Sequence, residues 1–301
     1  MNSSEKDIYG FPRLGRGGLG NMLMLWADCY LWCRDNNLRM IAPFWRTLRL
    51  GPYLRGERDR RAYHRLFADS GQIAGLSRLL VLLTSKRVRF SELLEPAALP
   101  GKTVVVFAAE VCFRELSFFR RLAGRQDELR AGLATMTRPE YLPTLRGGPT
   151  IGIHVRLGDY LPSTEASLPD GHYRLELSWY RAALRELRRV AGSSVAAVVY
   201  SDGADHELGE LLSEENVTRS LGRSAVTDLL ELSASGAVIA SRSTFSLWGS
   251  FLSQAPTVWH PGSRILTAVE SELPFGLEPE WAPGCRLPAL FTETVRKRLL
   301  P

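Results

Sequence analysis

Residues 151–160 read IGIHVRLGDY. An apolar run leads into His154, Arg156, Gly158 and Asp159. These offer a ring that can donate or accept, a guanidinium that stays charged and can grip two phosphate oxygens at once, and a carboxylate. If the run is a strand, all three groups sit at its carboxyl end, where open parallel α/β sheets bind their ligands. An Arg–Asp pair beside a histidine is also what a purely structural ion-pair cluster looks like.

Two further stretches carry chemistry. In LGRGGLGN, Gly15, Gly17 and Gly20 satisfy G-x-G-x-x-G between a short strand and a helix. A dinucleotide site would also need an acidic residue ending the next strand, and LRMIAPF offers none. What survives is a turn that lets a ligand approach the backbone, and a helix start near Asn21 whose N–H groups suit an anion. The alternative is a tight turn with no ligand. The third stretch runs from Asp228 through ASRSTFSLWGSFL. Ser241, Ser243, Thr244 and Ser246 bracket a strand-to-helix turn, where they either meet phosphate or simply cap the helix.

The elements that must position these groups alternate along the chain. The expected strands are DIYGFPRL, LRMIAPF, KTVVVFA, TIGIHV, VAAVVYS, VTRS, GAVIAS and PTVWH. Helical spacing of apolar residues marks MLMLWADCYLWCRDNN, SWYRAALRELRRVAG, SAVTDLLELSAS and TFSLWGSFLSQ, and one or two helices within 115–136. Residues 46–100 are rich in Arg and Leu and read as helical or irregular. Apolar strands alternating with helices predict parallel sheets covered on both faces. The Pro- and Gly-rich stretch TRPEYLPTLRGGPT divides the chain into residues 1–146 and 147–301. The expected fold class is α/β, with two Rossmann-like domains facing a cleft. His154, Asp202, Ser241 and His260 all fall at strand ends.

The bulk numbers fit a soluble globular protein: 301 residues, 45% hydrophobic and 23% charged. The start MNSSEKDIYG lacks a signal-peptide pattern, no run reaches membrane-span length, and the expected location is cytoplasmic. The net charge of +6 suits an anionic small molecule, an anionic membrane surface or nucleic acid. The Arg residues are mixed with acids rather than drawn into a basic stripe with aromatics, which argues against nucleic acid. Cys29, Cys33, Cys112 and Cys285 form no C-x-x-C pair and read as core thiols, with no metal-ligand spacing.

GGLGN at Gly17–Asn21, HVRLGDY at His154–Tyr160, YSDG at Tyr200–Gly203, and Asp228 with STFSLWGSFL at Ser243–Leu252 resemble, in order, the motifs of the α-1,2-fucosyltransferase family. The resemblance implies the GT-B arrangement and an inverting, metal-independent glycosyltransferase. Such an enzyme moves L-fucose from GDP-fucose to a glycan hydroxyl, here O2 of a galactoside, with no cofactor beyond the donor substrate. It implies that Arg156 holds the pyrophosphate and that His154 and Asp228 meet guanine. Asp202, Ser243, Thr244, Phe245 and Ser246 would line the donor pocket. Gly18, Gly20 and Asn21 would face the donor from the amino-terminal domain. Arg156 and Asp159 are the catalytic candidates, Asp159 by position as the base, with Glu165, Asp170 and His172 as other carboxylates or bases nearby. The expected partners are the GDP-sugar and a glycan acceptor; peripheral membrane contact stays open. The same fold with another nucleotide-sugar, or a non-catalytic sugar-nucleotide binder, is the alternative. Three positions depart from the family's usual pattern: Leu157 for a second Arg, Met22 for Gln, and Arg242 for Asn.

Overall fold

The computed structural model describes residues 7–15, 17–45, 63–93, 99, 101–109, 119–144, 147–158, 160, 173–263 and 277–300. They build two parallel sheets. The first contains β1 (Ile8–Pro12), β2 (Arg39–Met40), β3 (Lys86–Arg89) and β4 (Thr103–Phe107), in the order β2-β1-β4-β3. The second contains β5 (Ile151–Val155), β6 (Ala197–Ser201), β7 (Val217–Arg219), β8 (Ala237–Ala240) and β9 (Thr257–Trp259), in the order β7-β6-β5-β8-β9. Every strand pair in both sheets is parallel.

The helices follow from the sequence pattern. α1 (Leu19–Asp35) is apolar around most of its circumference, and the structure buries twelve of its residues. A helix apolar on all sides belongs inside a protein. α1 lies on β1 with one side and meets the second half of the chain with the other. α2 (Gly75–Thr84) and α3 (Gln126–Met136) complete the described helices of the first half. In the second half come α4 (Leu177–Ala191), the single turn α5 (Gly209–Leu212), α6 (Ala225–Leu232), α7 (Thr244–Ser253) and α8 (Ala289–Leu299). α4 ends on Gly192 at φ 69°, a left-handed cap that glycine adopts without strain.

The two halves share one core. Val105 and Phe107 of β4, Trp26 of α1, Val198 of β6 and Trp248 of α7 belong to a single buried cluster. The Trp248 indole N–H donates to the Gly20 carbonyl at 2.8 Å. Phe119 stacks on Phe251 with ring centroids 4.2 Å apart. Gly20 is needed at this crossing. A Cβ there would lie 2.7 Å from Thr244 Oγ1 and 2.8 Å from the Thr244 carbonyl carbon, closer than side chains approach. A second cluster fills the far face of the second sheet under α4 and α8. A third, small cluster lies on the far face of the first sheet, where Val81 of α2 meets Tyr9, Phe11 and Val104.

Three features differ from the sequence reading. The strand expected over LRMIAPF narrows to two residues, followed by a bridge from Ile41 to Ile73. β3 arises within the stretch read as helical or irregular. Its sequence KRVR is mostly exposed on an edge, so it lacks the apolar signature of a buried strand. α8 was not anticipated, although Phe291, Val295 and Leu299 recur at helical spacing and are all buried. Cys29 and Cys33 are buried free thiols as expected, but Cys285 is exposed; Cys112 lies outside the described residues. Burial pushes the Cys29 thiol well up from its ordinary value, so it stays protonated.

Candidate functional site

The strand order of the second sheet reverses between β5 and β8, and a crevice opens at the carboxyl ends of strands on either side of such a point. His154 lies at this place, one residue from the end of β5, and is 5% exposed. Its Nδ1 is 2.7 Å from Ser246 Oγ and 2.9 Å from Ser241 Oγ, with Ser243 Oγ at 3.4 Å. The Ser241 backbone N–H donates to Ser246 Oγ at 2.9 Å. Ser243 caps α7 by accepting from the Ser246 N–H at 3.2 Å. The Phe245 ring stacks on the imidazole at 4.6 Å. Burial lowers the His154 pKa to about 3, against a smaller opposing pull from Asp202. The ring is therefore neutral at physiological pH, with one nitrogen engaged by the serine hydroxyls.

Arg156 and Asp202 form the charged part. Arg156 Nη1 lies 2.5 Å from Asp202 Oδ2, and the carboxylate is nearly buried. Asp202 Oδ1 also accepts the Leu157 N–H at 2.9 Å, so one residue after β6 fixes the chain leaving β5. The Arg156 guanidinium lies 5.5 Å from the Tyr160 ring centre. Arg174 ties Leu157 to Tyr160: its Nε donates to the carbonyls of Tyr160 at 2.8 Å and Leu157 at 3.1 Å. Arg174 Nη1 in turn pairs with Glu207 at 3.0 Å. The backbone N–H of Ala204, with help from Arg174, holds the Glu207 carboxyl below its usual range.

These groups open onto a cavity of about 260 Å³. From the second half it is lined by His154, Arg156, Asp202, Arg223, Asp228 and Phe245, among others. From the first half it is lined by Tyr63, Arg65, Leu66 and Tyr141. The start of α6 faces it: Ser224 and Ala225 are on the wall, and Ser224 caps that helix by accepting from the Thr227 N–H at 3.1 Å. Three guanidiniums, a helix N-terminus and a flat aromatic ring in one cavity suit an anionic ligand with a planar base.

Of the sequence-derived candidates, His154, Arg156, Asp202, Asp228 and Phe245 line this cavity. Ser243 and Ser246 stand behind His154. Thr244 packs against Gly20. The glycine loop contributes none of the lining. Gly18 has open space beside it, and the Asn21 side chain folds back against Gly17. The Leu19 N–H, one of the free donors expected of this helix start, is taken by the Tyr63 hydroxyl at 3.2 Å. Asp159 and the other base candidates Glu165, Asp170 and His172 lie outside the described residues. Tyr63, Arg65, Tyr141 and Arg223 were not found from sequence, because no motif surrounds them and only the fold brings them in.

The three departures from the family pattern all sit away from the cavity wall. Leu157 is buried and packs over Gly203, where a Cβ would be 2.3 Å from Leu157 Cδ1. Met22 is 1% exposed inside the shared core. Arg242 turns outward: its Nη1 donates to the Gly262 carbonyl at 3.0 Å, and it lies over the Tyr173 ring. Among the described residues no group of three or more His, Cys, Asp and Glu side chains is gathered as a metal site would require.

A parallel α/β fold with a cationic cavity at its switch point is an arrangement that suits an anionic ligand. Residues 117–260 match the family model described as glycosyl transferase family 11. That segment contains every candidate residue except those of the glycine loop. No curated protein matches the chain. Among solved structures it is similar to the alpha-1,6-fucosyltransferase NodZ co-crystallized with GDP, at 16% identity and a TM-score of 0.46, covering 85% of this chain and 95% of that one. A NodZ structure of the same kind comes from Bradyrhizobium. It is also similar to POFUT1 in complex with GDP, at 12% identity and a TM-score of 0.43, covering 84% of this chain and 97% of that one. A mutant of Arabidopsis thaliana FUT1 in complex with GDP shares 10% identity at a TM-score of 0.46, covering 85% of this chain and 71% of that one.

Proposed function

We propose that this protein is a glycosyltransferase that moves L-fucose from GDP-fucose to a hydroxyl of a glycan, O2 of a galactoside by the motif resemblance, with inversion and without a metal. The observation that carries this reading is the convergence of His154, Arg156, Asp202 and Asp228 on one cavity. They come from three separated motifs, all inside the segment that matches the family. The half after residue 147 binds the donor, and the first half contributes the opposite wall.

In a single inverting displacement the acceptor oxygen attacks fucose C1 as the bond from C1 to the β-phosphate oxygen breaks. GDP leaves with that electron pair, and the hydroxyl proton passes to a base, assigned here to Asp159. Arg156 opposes the charge that develops on the diphosphate, already oriented by Asp202 before the donor arrives. Neutral His154, braced by three serines and covered by Phe245, offers its free ring nitrogen to the base without adding charge. Asp228 accepts from guanine N–H groups, which neither adenine nor uracil presents in that pattern.

Calorimetric binding of GDP in EDTA, with UDP as control, tests the donor site. GDP binding that is lost in Arg156→Ala supports it, and absence of GDP binding with candidate glycans present overturns it. Incubation with GDP-fucose and a galactoside panel, with the product linkage read by NMR, then tests the transfer itself. GDP binding without turnover on any acceptor would favour the non-catalytic sugar-nucleotide binder.

A further inference from the structure

α2 is built the wrong way round for a helix of a soluble protein. On its GLSRLLVLLT sequence, Leu76, Leu79, Leu80 and Leu83 fall at i, i+3, i+4 and i+7, the spacing of one helix face. That face points outward, and the four leucines are 84%, 49%, 60% and 81% exposed. The inward contacts are made by Val81 and the partly buried Leu82. Single exposed leucines are ordinary, but four on one stripe form a continuous apolar patch of the kind that marks an interaction surface.

The rim of this patch is basic. Lys102 Nζ donates to Thr84 Oγ1 at 2.7 Å, and Arg87 Nη2 donates to the Leu82 carbonyl at 2.8 Å, so both cations stand at the carboxyl end of the helix. On the adjoining edge strand β3, Arg89 shares the face of Arg87 and is exposed, 3.9 Å from Glu92, while Lys86 alternates onto the face of Val88, on the α1 side. Charged residues on an edge strand can serve only to block strand pairing. That function explains the bases of β3 but not an outward row of leucines beside them. A second copy of the chain docking symmetrically on this face would set these cations against their own equivalents. An anionic surface with an apolar layer beneath it satisfies both features, with leucines entering the acyl boundary and long basic side chains reaching the headgroups.

We infer that α2, with Arg87, Arg89 and Lys102, docks the protein on an anionic lipid bilayer as a peripheral helix lying in the interface. No helix among the described residues is long and apolar enough to cross a membrane, and the docking described here needs none. The inference is independent of the donor-site reading, because it uses none of the cavity residues.

The test is flotation of the full chain with vesicles of phosphatidylcholine alone and of phosphatidylcholine with phosphatidylglycerol. The wild-type protein is expected to bind the anionic vesicles at least tenfold more tightly than the neutral ones, and to lose most of that binding in high salt. The triple variant Leu76→Ser, Leu80→Ser, Leu83→Ser is expected to lose binding at least tenfold, and Arg87→Glu with Lys102→Glu to abolish the preference for anionic lipid. Both variants change exposed side chains, and an unchanged thermal midpoint shows that they fold. Failure of the wild type to bind anionic vesicles overturns the proposal, as does binding that the leucine variant leaves unchanged. A concentration-dependent dimer in sedimentation velocity, lost in the leucine variant while vesicles bind nothing, overturns it in favour of a second copy.

Discussion

The two sheets are built from similar parts and finished differently. The β5–β9 sheet is closed on both faces, by the shared core on one side and by α4 and α8 on the other. The β1–β4 sheet is closed on the face that meets α1, while its far face carries a small cluster under a helix with leucines outside. The difference tracks the work each sheet does. A ligand site needs side chains held still, and His154, Arg156 and Asp202 are held by hydroxyls, backbone donors and ion pairs from four elements. Among the described residues, the far side of the other sheet holds a small cluster and turns the leucines of α2 outward.

If that contrast is right, substitutions should grade from one sheet to the other. The largest effect is expected for Arg156→Ala. It should lower kcat/KM about 10²–10³-fold, equivalent to roughly 3–4 kcal/mol, while circular dichroism stays native. The next is the pH response of His154. Its folded pKa of about 3 lies below the unfolded value, so the unfolded chain takes up a proton first as pH falls. Stability is therefore present at neutral pH and declines as pH falls from about 6.5 towards about 3, by up to roughly 4 kcal/mol. Urea midpoints at pH 7 and pH 4 measure this, and His154→Gln should flatten the difference. Gly20→Ala comes third. Despite the better helix propensity of Ala, the clash with Thr244 should cost about 1–3 kcal/mol and weaken GDP binding through the start of α7. Arg174→Gln frees the Leu157 and Tyr160 carbonyls and should reduce kcat about tenfold with little change in thermal midpoint, and Arg174→Lys should recover part of the loss. The smallest effect belongs to the other sheet. Leu80→Ser should leave stability within about 0.5 kcal/mol of wild type. If it destabilised the protein strongly, the far face of the first sheet would be a core, and the contrast would fail.

Most of the second half was legible in the sequence because buried parallel strands announce themselves. TIGIHV, VAAVVYS and GAVIAS are apolar runs that end in polar turns, and β5, β6 and β8 fall within them. β3 was not legible, since an edge strand made of Lys, Arg and Val is patterned by solvent rather than by a core. In the cavity, Arg156, Asp202 and Asp228 follow strand ends or open a helix, so local pattern finds them. Tyr63, Arg65 and Tyr141 reach it from distant turns, and nothing in their own neighbourhoods marks them. Gly20 shows the limit of motif reading most directly. Its spacing resembles a phosphate loop, and its place in the fold is the contact that lets α1 and α7 touch.

That contact has a mechanical consequence. α7 is ten residues long; its first turn braces the imidazole, and its next two turns bear Trp248 and Phe251, which lock onto the other half. One short rod is thus both a wall of the pocket and the rivet between the sheets. Swinging the halves apart like the shells of a clam would break the Trp248 bond to Gly20 and the Phe119–Phe251 stack, both made by the same helix whose first turn braces His154.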